Sequence, residues 1–141
     1  MNMSLSLVDT QAVAFGQLAE FIKGSNIALL TSVTSDGTLH SRPLVTREVD
    51  LENNALWFLA ASNFSKAERI LHDKEVALAY TSANRQVFAS VSGRAEVVHD
   101  KAKARELWDP MAETRFPKSA DDPRLVLLRI SVTAVEFWDA P

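Results

Sequence analysis

Residues 85–98, RQVFASVSGRAEVV, alternate without a break. Val87, Ala89, Val91, Gly93, Ala95 and Val97 fall on one side of an extended chain, and Phe88, Ser90, Ser92, Arg94 and Glu96 on the other. A two-residue period is the mark of a half-buried strand. The rest of the chain supplies what such a strand pairs with. NIALLTSVT over 26–34 is a short apolar run with β-branched residues, and Ser35-Asp36-Gly37 after it is a strong hairpin signal. Residues 38–48 read as the returning strand, Asp50 to Asn54 as a second turn, and ALWFLA over 55–60 as a third strand. VALAYT at 76–81 is a fourth strand, followed by a turn at Ser82 to Asn84. Residues 124–138 read as a long last strand, with Leu125, Val126, Leu127, Leu128, Ile130 and Val132 apolar on both faces, a pattern that a partner chain could cover.

Helical periodicity is confined to short stretches. Asp9 or Thr10 can cap a helix over 11–23, whose stripe is Val13, Ala14, Leu18, Phe21 and Ile22, and Gly24 ends it. Phe64, Ala67, Ile70 and Leu71 share one face of a helix over 63–72. Asp100 caps a helix over 101–108 that Pro110 stops. These elements make six strands, mostly in hairpin order, with no β-α-β alternation. That argues against a doubly wound parallel sheet and points to a mainly β domain closed into an antiparallel barrel, which removes exposed edges.

Composition narrows the chemistry. The 141 residues contain no cysteine, so disulfides, thiolate metal sites and a cysteine nucleophile are excluded. Fifteen Lys and Arg against eighteen Asp and Glu give a net charge of −3, which argues against a broad nucleic-acid footprint but not against a local basic pocket. No apolar run reaches the roughly 18 residues of a membrane span. MNMSLSLVDT lacks the basic start and apolar core of a signal peptide. The expectation is a single cytoplasmic domain over 1–141, with residues 1–10 a flexible segment.

Two segments invite an anion. In HSRPLVTR, 40–47, Arg42 and Arg47 flank Pro43, which cannot donate to a ladder and so belongs at an edge or a bulge. The arginines there read either as solvated charges on an edge strand or as a planar fork for a phosphate. In SNFSKAER, 62–69, a helix start carries Ser62, Asn63, Ser65 and Lys66. Lysine is unfavourable at the positive end of a helix dipole unless an anion sits beside it. An ordinary cap with a solvent-pointing lysine is the alternative. His40, His72 and His99 stand in no metal-ligand spacing, and Asp121-Asp122-Pro123 reads as a turn. There is no GxGxxG, P-loop or GxSxG motif. Trp57, Trp108 and Trp138 can be core, or can cover a flat heterocycle.

Taken in order, the DG turn, HSRPLV, LWFLAASNFSKAERIL, RQVFASVSGRAEVV, ELWDPM, DDPRLVLLRI and VEFWDAP resemble the pyridoxamine 5'-phosphate oxidase-like flavoproteins, and among them the general stress protein 26 branch, over about residues 11–140. The resemblance implies a six-stranded split β-barrel, a homodimer with FMN at the interface, and an unidentified small-molecule substrate. It implies that Arg42 binds the FMN phosphate and ribityl chain. Pro43, Leu44, Val45 and Thr46 then line the isoalloxazine edge, with the basic Arg47 following. Leu59 and Ala60 meet the cofactor from the third strand, Ser65 and Lys66 bind phosphate, and Gln86 comes from the partner subunit. Trp108 and Trp138 match aromatic positions near the flavin.

The chain departs from relatives at Ala60, where many have threonine, and in Arg-Phe-Pro at 115–117, where related stress proteins often have Trp-Phe-Pro. True pyridoxamine phosphate oxidases continue past VEFW into a substrate-binding tail, whereas this sequence stops at Pro141, so vitamin B6 oxidase activity is not expected. An FMN-dependent oxidoreductase with no identifiable acid or base is the first reading. A non-catalytic flavin-binding stress or sensor protein is the second. A split barrel for another planar cofactor, a deazaflavin or haem, or an interaction module without flavin, is the third.

Overall fold

The computed structural model describes residues 2–5, 7–34, 36–61, 75–84, 86–108 and 121–139. Seven strands and two helices lie among them. They are β1 (Asn2–Leu5), α1 (Leu7–Gly24), β2 (Ile27–Val33), β3 (Leu39–Asp50), β4 (Ala55–Ala61), β5 (Glu75–Thr81), β6 (Val87–Val98), α2 (Lys101–Leu107) and β7 (Leu125–Asp139). The helix expected over 63–72 lies outside the described residues.

All strand pairings are antiparallel. The order β7-β4-β3-β2-β5-β6 closes through a β6–β7 ladder into a six-stranded barrel, and β1 adds to β7. The fold is the mainly β, six-stranded antiparallel split barrel that the sequence implied. The alternation in β6 is realised as expected: Ala89, Val91 and Ala95 point into the core while Phe88, Ser90, Ser92, Arg94 and Glu96 are exposed. At the β2–β3 turn, Gly37 adopts φ +87, which favours glycine.

One expectation, the start of the first helix, is corrected. Asn2–Leu5 form β1, and α1 starts ahead of the predicted residue 11. The helix begins at Leu7, so Asp9 and Thr10 lie within it. The reason is long-range. β4 pairs with β7 only over Leu125–Ser131, and β1 covers the same edge farther on, opposite Val135–Trp138. No local pattern in a four-residue strand signals this.

A second finding concerns the apolar run in β7. Val126, Leu128 and Ile130 face the barrel core, whereas Leu127 lies in a second cluster with Leu59, Ala104 and Leu107. α2 of the same chain therefore covers the outer face of this part of β7. Farther along, the inward phase moves from Val132 to Val135 and Phe137, because the β6–β7 register shifts between Ser92 and Gly93. α1 supplies Ala14, Phe15, Leu18 and Ile22 to the main core, and its Phe21 meets Phe137 at a ring-centroid distance of 6.0 Å.

Candidate functional site

β3 and β4 do not pair along their whole lengths. Their ladder runs from Asp50–Ala55 to Thr46–Phe58, with a register shift between Thr46 and Glu48, and stops there. Beyond it, β3 continues on β2 through Leu39–Val45, and β4 continues on β7 through Leu59–Ala61. The two strands part at this point and form the split in the wall.

Backbone geometry decides what the β3 arm offers. The Thr46 N–H donates to the Asn26 carbonyl at 2.8 Å, so position 46 directs its backbone polar groups toward the β2 side. Directions alternate along an antiparallel strand, so Pro43 and Val45 turn theirs away from β2, toward the split. Proline at 43 therefore removes no ladder hydrogen bond. The edge expected from Pro43 is the split itself, and the expected bulge lies next to it, at Arg47.

The side chains of this arm divide. Leu44 is in the core, and Thr46 is buried with its Oγ1 2.7 Å from the Tyr80 hydroxyl. Pro43 is exposed, and Arg42, Val45 and Arg47 are half-buried. Arg42 Nη2 donates to His40 Nδ1 at 3.1 Å, which orients the guanidinium along the strand. Arg47 lines a cleft of about 340 Å³ between the end of α1 and the bulge, with Lys23, Asn26 and Glu48 among its neighbours.

On the β4 arm, Ala60 faces the main core and Leu59 packs under α2. Their side chains are thus engaged in packing. Trp108, at the C-cap of α2, packs against the same cluster as Leu59. Arg42, Pro43 and Val45 thus lie on the β3 arm, Arg47 at the bulge where the strands part, and Leu59 and Ala60 on the β4 arm, with Trp108 in the cluster of Leu59.

Gln86 lies at the β5–β6 turn and Trp138 near the end of β7. Gln86 is an exposed residue whose N–H donates to Ser82 Oγ and Asn84 Oδ1 in the β5–β6 turn. Trp138 stands opposite Phe88, next to the Val87–Asp139 pair. Ser65 and Lys66 lie outside the described residues.

Three features escaped sequence reasoning. Tyr80, the chain's single tyrosine, is buried against Thr46, and burial drives its hydroxyl well above the ordinary phenol range despite the opposing hydrogen bond from Thr46. His40 is the partner of Arg42. Lys103 on α2 donates to Glu48 Oε2 at 2.7 Å and sits 4.8 Å from the centre of a Trp57 ring. A histidine two places before Arg42 was a readable signal for the second feature. Nothing local announced the first or the third. Among the described residues no group of three or more His, Cys, Asp or Glu could hold a metal ion, and no helix is long and apolar enough to cross a membrane.

The family model described as pyridoxamine 5'-phosphate oxidase like matches residues 14–141. The chain belongs to the pyridoxamine 5'-phosphate oxidase-like family. Solved structures of this fold share its architecture. A Clostridium acetobutylicum protein related to general stress protein 26 of B. subtilis is 18% identical, with a TM-score of 0.78 over 91% of this chain and 89% of that one. The general stress FMN/FAD binding protein of Xanthomonas citri is 22% identical, with a TM-score of 0.77 over 92% and 90%. An F420 reductase is 20% identical, with a TM-score of 0.64 over 82% and 93%. No curated protein matches the sequence. In this member of the family, the segment HSRPLV forms one arm of the split, and the end of LWFLAA forms the other.

Proposed function

We propose that this chain is a flavin-binding protein that holds FMN along the split between β3 and β4 and serves as an FMN-dependent oxidoreductase for a small molecule. The observation that carries the reading is the β3 arm. Its backbone at Pro43 and Val45 faces the split, with Arg42 on one side and Arg47 on the other. Backbone donors and acceptors suit the polar edge of a flat heterocycle, and a guanidinium suits a phosphate. Arg42 would hold the phosphate and ribityl end, joined by Ser65 and Lys66 as the resemblance implies. The Leu59–Ala60 backbone would close the other side, with Trp108 behind Leu59. Thr46 contributes shape more than contact, since its N–H goes to Asn26 and its hydroxyl to Tyr80. When bound, a flavin supplies two-electron redox chemistry, and the protein supplies orientation and nearby charge.

The same reading makes the molecule a homodimer. Ile27 is 58% exposed, Leu29 46%, Phe88 38% and Trp138 37%, all on the outer wall of β2, β6 and β7. Ala79 and Ser90, the cross-strand successors of Leu29 on β5 and β6, are small and uncharged. An apolar face of this kind suits burial against a second copy. Such a pairing would let Gln86 and Trp138 of one subunit approach the split of the other.

A second reading, a deazaflavin in the same split, is favoured by the structural likeness to an F420 reductase. The test is direct. Purified protein is examined for visible absorbance and for FMN released on denaturation, then stripped and titrated with FMN and with F420. Yellow protein that releases FMN and rebinds it supports the proposal. Colourless protein that ignores FMN and takes F420 selects the second reading, and binding of neither overturns both.

A further inference from the structure

The bulge at Arg47 poses a mechanical problem. A bulged residue sits outside the regular ladder, so the strand there is held less firmly than its neighbours. Glu48, at the bulge, is gripped from outside the sheet. The Lys103 ammonium donates to its carboxylate at 2.7 Å, with side chains only 18% and 29% exposed. Glu106 adds a contact at 3.4 Å, and the ammonium also lies over Trp57, the cross-strand partner of Glu48. Burial would lower the Lys103 pKa, but the hydrogen bonds and charges of Glu48 and Glu106 outweigh it and raise the pKa, so the ammonium stays charged. Within the same helix, Ala104 and Leu107 pack on Leu59 of the β4 arm. Lys103 and Leu107 are one turn apart and share a helix face. α2 thus touches β3 just behind the junction and β4 just beyond it.

We infer that Lys103 is a positioning residue: through Glu48 and Trp57 it holds the bulge, and with Leu107 on Leu59 it fixes the angle between the two arms of the split. The placement of Arg47, one residue before Glu48, depends on this clamp. The link to cofactor affinity rests on the flavin reading above. The clamp itself does not.

The experiment compares wild type with Lys103→Met, Lys103→Arg and Glu48→Gln. Each is measured by FMN titration and by amide hydrogen exchange of residues 45–48 and 58–60 without flavin. Lys103→Met is expected to accelerate exchange in both segments and weaken FMN binding, each about tenfold, the equivalent of 1.4 kcal/mol. Glu48→Gln is expected to act in the same direction, and Lys103→Arg to retain both properties. If Lys103→Met does not fold, Glu48→Gln carries the comparison alone. Unchanged exchange in the folded variants overturns the inference whatever FMN does. Faster exchange with unaltered FMN affinity overturns the link between clamp and site. If wild type fails to bind FMN while the exchange effect is present, the flavin reading falls and the clamp stands.

Discussion

Thr46 Oγ1 and the Tyr80 hydroxyl lie 2.7 Å apart inside the barrel, one buried oxygen answering the other across the sheet. The pair holds the last β3 residue of the β3–β4 ladder inward, at the point where β3 leaves β4. It also sets how the protein responds to base. The chain has one tyrosine, and burial raises its pKa above the ordinary 10.0. A raised folded-state value means that its contribution to stability is complete below pH 10.0 and is lost as pH rises past the unfolded value toward the folded one. Absorbance at 295 nm should therefore stay flat through pH 10 and rise only with alkaline unfolding followed by circular dichroism. A tyrosinate signal near pH 10 in folded protein would contradict the buried placement.

Removing one member of the pair should cost more than the hydrogen bond itself. Thr46→Val leaves the Tyr80 hydroxyl buried with no partner in the pair, a loss of about 1–3 kcal/mol. Denaturant titration of Thr46→Val, Tyr80→Phe and the double variant measures this. The double variant is expected to be less destabilised than the sum of the singles.

Gly93 is required by close approach and not by backbone conformation. A Cβ there would lie 2.6 Å from the Ser131 carbonyl oxygen and 2.8 Å from Ile130 Cγ2, at the register shift that rephases β7. Gly93→Ala should destabilise by about 1–3 kcal/mol, the range for overpacking a core. Thermal unfolding checks it, and an unchanged midpoint would mean that β6 and β7 sit farther apart.

The α2 cap is a smaller and separable contribution. Asp100 Oδ1 accepts from the Lys103 N–H at 3.1 Å, as the sequence anticipated. Asp100→Ala should cost about 1 kcal/mol. If α2 clamps the split, this variant should also modestly accelerate exchange at residues 58–60, which a cap acting on the helix alone would not do.

Arg42→Ala combined with Lys66→Ala should weaken FMN binding by about 3 kcal/mol or more, since each removes a charge-assisted contact worth roughly 1.5–3 kcal/mol. Isothermal titration with FMN and with riboflavin, which lacks the phosphate, separates the contributions. The variants should affect FMN far more than riboflavin, and equal losses would place the arginine elsewhere on the ligand.

Leu29→Glu and Trp138→Glu place charge on the apolar outer wall. Light scattering should report a homodimer for wild type and monomer for the variants, with FMN affinity falling alongside if Gln86 and Trp138 cross over. A wild-type monomer would remove the dimeric reading.

Much of this molecule was legible locally. The period-two burial of β6, the Asp-Gly turn with Gly37 at positive φ, the Asp100 cap and the placement of Pro43 at an edge all follow from neighbouring residues alone. Each depends on backbone sterics or on donors within a few positions, and the chain carries that information wherever it folds. Arg42 and Arg47 were singled out from their neighbours in the same way, and their role is the proposal made above.

Tertiary structure decided which face each residue uses. Thr46 turns to Tyr80, Leu59 turns to Leu107, Asn2–Leu5 becomes a strand, and Lys103 reaches Glu48 across 55 positions of sequence. None of these has a local cause. They exist because the barrel closes between β6 and β7 and because one register shift in that ladder rephases β7. Closure and register belong to pairings between distant segments, whose hydrogen bonds and buried area exist only once the ring is complete.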